Sequence, residues 1–408
     1  MVELKIHSLA RQGDGVATKD SETLYIPFSL PGETVTATSS GIRRDLISVI
    51  RQSSFRIDPI CTHFGECGGC QLQHFSQEGY LAWKHALVYE ALERVGISHA
   101  VDPLVCFDVA SRRRCVFNVK HTAKGVVLGF AERSTDRIIN ITECPILVKD
   151  ISDRLQDIKN VLSSLPYTKK SFRLSVLASE AGLDLALSSP QPLKQNTKEI
   201  LARKALSFGF ARLSSDGEVL VELKKPILRM GLCNLIPPPG AFVQAVRAAE
   251  ATMSELVCTY LSDCKSVADL YSGIGTFALR LAENSMVWAL EENAPSLQAL
   301  DRAWRETGGK LKQIRIETRN LERRPVNFTE LKKIDGLVFD PPRAGAEAQV
   351  RQIAKSKIGK VAAVSCNPIT LARDLKLLLE GGYKIQQITP IDQFRFTPHV
   401  EVVALLEK

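Results

Sequence analysis

"DLYSGIGTFAL", residues 269–279, decides the fold. Asp269 closes the apolar run "SVADL", and Gly273 and Gly275 stand in the turn that opens a helical stretch. Glycines there let a ligand approach the backbone at a helix N-terminus, where unpaired N–H groups are on offer. Read through to Ala278 as G-x-G-x-x-A, the turn is a dinucleotide-type fingerprint, and alone it is weak. Its surroundings strengthen it. From residue 264 onward strand candidates alternate with helical segments: "SVADL", "MVWALE", "QIRIET", "DGLVFD" and "KVAAVS", then "YKIQQITP" and "HVEVVALLE". That rhythm predicts an α/β fold with a doubly wound, mostly parallel sheet of seven strands. The last two strands are joined by "IDQFRFTP", too short for a crossover helix, so they are expected to pair antiparallel. Ligands of such sheets sit outside the carboxyl ends of the strands. Glu291 and Glu292 close the second strand, where a ribose-binding carboxylate belongs; "FDPPR" (339–343) follows the fourth and "SCNP" (365–368) the fifth. NAD and S-adenosylmethionine both need that carboxylate. An antiparallel end pair does not fit two equivalent mononucleotide-binding halves, and a cysteine beside an acidic group fits hydride transfer poorly. The plainer alternative for Cys366 is a small buried residue.

Working outward, 408 residues that are 45% apolar can bury two or three cores. A net charge of +8 permits a polyanionic partner without requiring one. No leader-like apolar region follows the start and no stretch of about 18 apolar residues occurs, so the expectation is a soluble, cytoplasmic protein with no membrane partner. Residues 1–52 read as short strands separated by turn signals at Gly13-Asp14-Gly15 and Pro31-Gly32, either a small barrel of the kind that binds oligonucleotides or a plain β cap. "CTHFGECGGCQLQH", residues 61–74, gathers Cys61, Cys67 and Cys70 with His63 and His74. Ten cysteines in a reducing compartment argue against a disulfide scaffold, leaving zinc, an iron–sulfur cluster or chance. "QEGYLAWKHALVYEALERVG" (77–96) has helical spacing and stops at Gly96. Residues 105–240 read as mostly strands, and Pro237-Pro238-Pro239-Gly240 connects them to the last domain. Arg112, Arg113 and Arg114, with Lys120 and Lys124, read as a phosphate-neutralising cluster or as a charged edge strand.

In this order and spacing "DLYSGIGTF", "DPPR", "SCNPITLARDL" and "TPHVEVVALLE" resemble the RNA uracil-5-methyltransferases, and the resemblance spans essentially the whole chain. "RQGDGVA" and "IPFSLPGETV" resemble the TRAM domain that begins the ribosomal-RNA members. The resemblance implies a Rossmann-like methyltransferase domain from 76–104 and 241–408, a TRAM-like, RNA-binding barrel over 1–52, and a middle domain from 53–75 and 105–240. Carbon 5 of uracil is a poor nucleophile until a thiolate adds to carbon 6, and a base must later remove the carbon-5 proton. The family's nucleophile maps to Cys366 and its base to Glu401. Its S-adenosylmethionine contacts map to Gln244, Tyr271, Thr276, Glu291, Asn320 and Asp340. Two departures stand out: Val246 replaces a common asparagine, and the neighbouring Glu292 could exchange roles with Glu291. Cys61, Cys67, Cys70 and the distant Cys144 resemble the family's cluster ligands. By count four thiolates suit zinc and iron–sulfur alike; the missing pair of Cys-x2-Cys knuckles favours 4Fe–4S, in a structural or RNA-positioning role. The implied partner is RNA, most readily a 23S rRNA uridine in a loop or flipped out of its stack, with no obligate protein partner evident. A tRNA-directed enzyme is the nearest alternative, since tRNA members resembling this catalytic domain usually lack the barrel and the cysteines. A catalytically silent iron–sulfur RNA-binding protein is the alternative from another class.

Overall fold

A computed structural model describes residues 1–133, 135–168 and 170–408. The N-terminal segment folds into two three-stranded antiparallel sheets, Val2–Lys5, Thr34–Ala37 and Leu46–Arg51 in one and Ser8–Leu9, Gly15–Lys19 and Glu22–Ile26 in the other. Leu4, Ile6, Ala17, Leu24, Ile26, Val35 and Ala37 meet in a small core of their own. Glu33, buried beneath it, accepts from Arg56 (Nη2 to Oε2, 2.8 Å) and so ties this unit to the segment leading into the cysteine loop.

Helix α1 (Gln77–Glu93) starts at Ser76, whose hydroxyl accepts from the Gly79 N–H, and the chain turns away at Gly96 with φ +81°. Its apolar side (Val88, Ala91, Leu92) packs into the core of the C-terminal sheet, far along the chain.

The middle region holds a seven-stranded sheet in the order Glu218–Glu222, Arg212–Ser215, Gly182–Ser188, Phe172–Ser179, Arg114–Thr122, Gly125–Ala131, Ile138–Asn140. Beyond the expected strands, it carries helices Leu155–Leu162 and Gln195–Ser207, packed on the sheet through Ile158, Val161, Leu162, Leu201 and Ala205. The second helix buries only Leu201 and Ala205, so its apolar stripe is too narrow to stand out in the sequence. Strand Arg114–Thr122 is paired on both sides, so the triple arginine does not guard a sheet edge. Nor is it an open phosphate-binding patch. Arg113 is buried and binds Glu250 (Nη2 to Oε2, 2.6 Å), while Arg112 and Arg114 lie over the rings of Phe394 and Phe242.

The C-terminal sheet contains β1 (Ser266–Leu270), β2 (Met286–Glu291), β3 (Ile314–Thr318), β4 (Gly336–Phe339), β5 (Lys360–Ser365), β6 (Lys384–Ile391) and β7 (Glu401–Glu407), in the order β3-β2-β1-β4-β5-β7-β6. β1 to β5 pair in parallel; β7 runs antiparallel to both β5 and β6. Helices α2 (Arg247–Tyr260), α3 (Ala278–Leu281) and α4 (Ala294–Arg305) cover one face. The other is covered by α1, α5 (Glu347–Lys355) and α6 (Pro368–Glu380). Val267 packs to one side and Ala268 to the other, as do Val338 and Leu337, which is why these strands read as unbroken apolar runs. Chain order reverses beside β1, and that opens a crevice at the carboxyl ends of β1 and β4. No helix of the described residues is long and apolar enough to cross a membrane.

Candidate active site

The crevice begins with the glycine turn after β1. Tyr271, Gly273 and Gly275 all take left-handed φ, at 61°, 55° and 97°. A Cβ on Gly275 would lie 2.9 Å from Leu300, so this glycine lets α4 pack; Gly273 has open space on that side. Tyr271 in this conformation is strained, and such strain persists where neighbouring structure enforces it. Glu291, ending β2, clamps the turn: Oε2 accepts from the Gly273 N–H (3.0 Å) and Oε1 from the Asn293 N–H (2.8 Å). Glu292 points elsewhere and accepts from Asn320 Nδ2 (2.7 Å). Thr276 is partly buried at the far end of the turn, where its carbonyl accepts from Arg280. Val246 is buried and leads into α2.

The second half of the crevice follows from strand register. Ser365 of β5 pairs with Val402 of β7, so the antiparallel return sets Glu401 across from Cys366, at the end where β4 delivers Asp340. Glu401 is buried; Oε1 accepts from Gln393 Nε2 (2.8 Å), and Oε2 has no hydrogen-bond partner among the described residues. Burial and the charge of Asp340 push the Glu401 carboxyl up to about 8, and burial pushes Asp340 up to about 7. The Cys366 thiol is pushed up to about 11 by burial and by the Glu401 and Asp340 charges, with Arg343 pulling the other way. Gln244 Nε2 donates to Asp340 (3.2 Å) and its Oε1 accepts from Gln393 (2.8 Å). Arg343 donates to His399 (2.7 Å), whose imidazole is held down to about 4 chiefly by burial, then by Arg343. From the N-terminal sheets, Arg11 reaches in and donates to Asn367 Oδ1 (2.7 Å), next to Cys366.

So Cys366, Glu401, Asp340 and Gln244 form one cluster, and Tyr271, Thr276, Glu291 and Asn320 line the adjoining sheet end. Gln393 escapes a sequence reading: it lies in "IDQFRFTP", legible there only as a short connection. Chemically, a soft nucleophile facing a carboxylate of raised proton affinity can add to an electrophilic carbon and remove a proton.

Cys61, Cys67, Cys70 and Cys144 line a cavity of about 360 Å³ that Arg112, Arg343, Phe394 and His399 also line. Burial raises all four thiols, Cys70 to about 12. Among the described residues no three Cys, His, Asp or Glu side chains close on a point that would hold a single ion. His63 is engaged by Thr142, to which its Nε2 lies within 3.0 Å of the backbone N–H. All four thiols face that one cavity, and thiolates are the donors that iron–sulfur clusters and zinc both take.

The family described as tRNA (Uracil-5-)-methyltransferase matches residues 237–408, which contain the whole C-terminal sheet. An uncharacterized RNA methyltransferase of Mesorhizobium japonicum is 48% identical over 403 residues, 99% of this chain and 97% of the relative. The 23S rRNA (uracil(1939)-C(5))-methyltransferase of Vibrio vulnificus is 28% identical, covering 100% of this chain and 96% of its own length. Among solved structures, the tRNA (uracil-54, C5)-methyltransferase of Pyrococcus abyssi, in complex with S-adenosyl-L-homocysteine, superposes with a TM-score of 0.76 at 23% identity. It covers 99% of this chain and 100% of its own, and that likeness speaks for the fold. With near-complete coverage of RNA methyltransferases and the uracil-5 signature over its catalytic sheet, the chain belongs to the RNA (uracil-5-)-methyltransferase family.

Proposed function

We propose that this enzyme methylates carbon 5 of a uridine in large-subunit ribosomal RNA, with S-adenosylmethionine as donor and a covalent Cys366–uracil intermediate. The observation that carries it is the β5–β7 register, which sets Glu401 across from Cys366. Cys366 is partly exposed, so its proton leaves to water as sulfur bonds to carbon 6. The electron pair of the carbon 5–carbon 6 double bond moves toward carbon 5 and the carbonyl at carbon 4, and carbon 5 becomes nucleophilic. Bound in the crevice, S-adenosylmethionine supplies an electrophilic methyl group. Glu401, through its unpartnered Oε2, then takes the carbon-5 proton; the double bond reforms and the thiolate is expelled.

Gln244, Tyr271, Thr276, Glu291, Asn320 and Asp340 hold the donor. Glu291 faces the ribose, oriented by its bonds to Gly273 and Asn293; Asn320 works with Glu292. Cys61, Cys67, Cys70 and Cys144 hold a 4Fe–4S cluster that braces the loop and has no redox part in the methylation, supported by their shared cavity. Residues 1–52 act as a TRAM-like RNA-binding barrel, residues 53–75 and 105–240 as the cluster-bearing domain, and 76–104 with 241–408 as the methyltransferase, in the cytoplasm.

The ribosomal substrate rests on the Vibrio vulnificus relative. A tRNA substrate is the second reading, supported by the fold shared with the Pyrococcus abyssi tRNA enzyme over 99% of this chain. Nucleoside mapping of rRNA and tRNA from cells lacking the protein decides between them. RNA carrying 5-fluorouridine at the target tests the chemistry, since fluorine cannot leave as a cation. A methylated protein–RNA adduct should survive denaturing electrophoresis and vanish in Cys366→Ala. A Cys366→Ala enzyme that still methylates or still crosslinks overturns the assignment.

A further inference from the structure

We infer that Gln393 is a positioning residue: it ties one oxygen of Glu401 so that the other is presented to the substrate, and it links the base to the donor-side pair Gln244–Asp340. The inference rests on the reading of Glu401 as the base.

Gln393 is buried, 2% exposed, in the connection between β6 and β7. Its amide orientation follows from its neighbours. The Ala245 N–H can only donate, and it meets Gln393 Oε1 (3.2 Å). The Nε2 is thereby turned to the other side, where it donates to both Gln244 Oε1 and Glu401 Oε1, each at 2.8 Å. Gln244 must then accept with its oxygen, so its own Nε2 is left for Asp340. One backbone N–H therefore orders two amides and two carboxylates. Both N–H groups of Gln393 are consumed, and Glu401 Oε2 is the carboxylate atom left open. The loop carrying Gln393 is anchored through its neighbour Asp392, which accepts from Tyr80 Oη (2.8 Å) and binds Lys84, both on α1. Burial and the charge of Asp340 raise the Glu401 carboxyl, the Gln393 hydrogen bond and Arg343 pull it back, and the Cys366 thiol faces it. The Gln393 donor favours the ionised carboxylate, so its loss moves Glu401 further up.

The test compares Gln393→Met, which keeps the volume and removes both donors, with Glu401→Gln, using target RNA with ordinary uridine. Gln393→Met should lower single-turnover product formation by about 10- to 100-fold, a part of the usual contribution of a general base. It should accumulate methylated adduct as Glu401→Gln does, and move the rising limb of the pH–rate profile to higher pH. Gln393→Asn, drawn back by one methylene, should do the same more weakly and serves if the methionine variant does not fold. A variant that folds and turns over normally, or one that loses rate without adduct and without a pH shift, reduces Gln393 to packing and overturns the inference. If Glu401→Gln itself leaves turnover intact and traps no adduct, the base assignment is wrong and the inference falls with it. If Glu401→Gln traps adduct and Gln393→Met does not, only the inference falls.

Discussion

Glu401 must be ionised to take a proton, and its surroundings oppose ionisation. With its carboxyl pushed up to about 8, most of it is protonated at neutral pH and the basic form grows as pH rises through that value. Single-turnover methylation at saturating donor should therefore climb between about pH 6.5 and 9. Arg343→Gln, which removes the cation that favours the carboxylate, should move the climb upward. A flat profile would show that proton removal from carbon 5 is not what limits the rate. At the other end of the crevice, Glu291→Ala takes the acceptor from two backbone N–H groups and, by the function proposed above, from the ribose. Calorimetry should show S-adenosylmethionine binding weakened by about 1.5–3 kcal/mol, with RNA affinity unchanged. Tight NAD binding by the unaltered protein, without S-adenosylmethionine binding, would revive the dehydrogenase alternative. The short motifs that carry Cys366, Asp340 and Glu401 stand out at strand ends, while the roles expected of them come from the family resemblance. Gln393 and Arg113 do not stand out: a buried amide and a buried guanidinium carry the same letters as exposed ones, and only their partners reveal their work.

At the scale of elements, β7 contributes most to the site. A parallel strand in its place would present its first residue at the opposite edge of the sheet; running antiparallel, it sets Glu401 beside the end of β5. The alternation of strands and helices after residue 264 was legible because the central strands, such as Gly336–Phe339 and Lys360–Ser365, are mainly apolar runs buried on two faces. The two middle-region helices were missed for the opposite reason, their buried stripes being short or narrow. The cysteine loop lies between these cases. Its three clustered thiols stand out locally, but Cys144 joins them only because the chain after strand Ile138–Asn140 returns to the loop, where Glu143 accepts from Thr62 (3.0 Å) and Thr142 meets His63. Anaerobically purified protein should be brown, with broad absorbance near about 400 nm, and Cys67→Ser should remove the iron. Stoichiometric zinc without iron or acid-labile sulfide, in protein made with ample iron, contradicts the cluster.

At the scale of the whole molecule, buried polar contacts join segments that lie far apart in the chain. Arg113 of the middle region binds Glu250 on α2, which also accepts from Arg280 (2.8 Å). Lys84 of α1 binds Asp392, both fully buried, and burial draws the ammonium below its usual range despite that partner. Lys84→Met would strand a carboxylate in the interior, so it should lower stability by about 3–5 kcal/mol in denaturant unfolding. Adding Asp392→Asn should recover much of the loss; a single variant as stable as the parent means that the pair is not what secures α1. Composition and turn signals suggest three regions. How they are fastened could not be read there, since partners 308 residues apart leave no local pattern. That separation also has a meaning in time. A ribosome adding about 5–20 residues per second needs about 15–60 s to travel from Lys84 to Asp392. Through that interval Lys84 lacks the carboxylate it pairs with, and the side of α1 carrying Val88, Ala91 and Leu92 has no sheet to pack on. The nascent chain thus carries its N-terminal sheets long before the cysteine loop gains its bonds to Phe396 or α1 its partner, and the sheet-facing side of α1 in stalled chains should stay open to protease until Asp392 has left the exit tunnel.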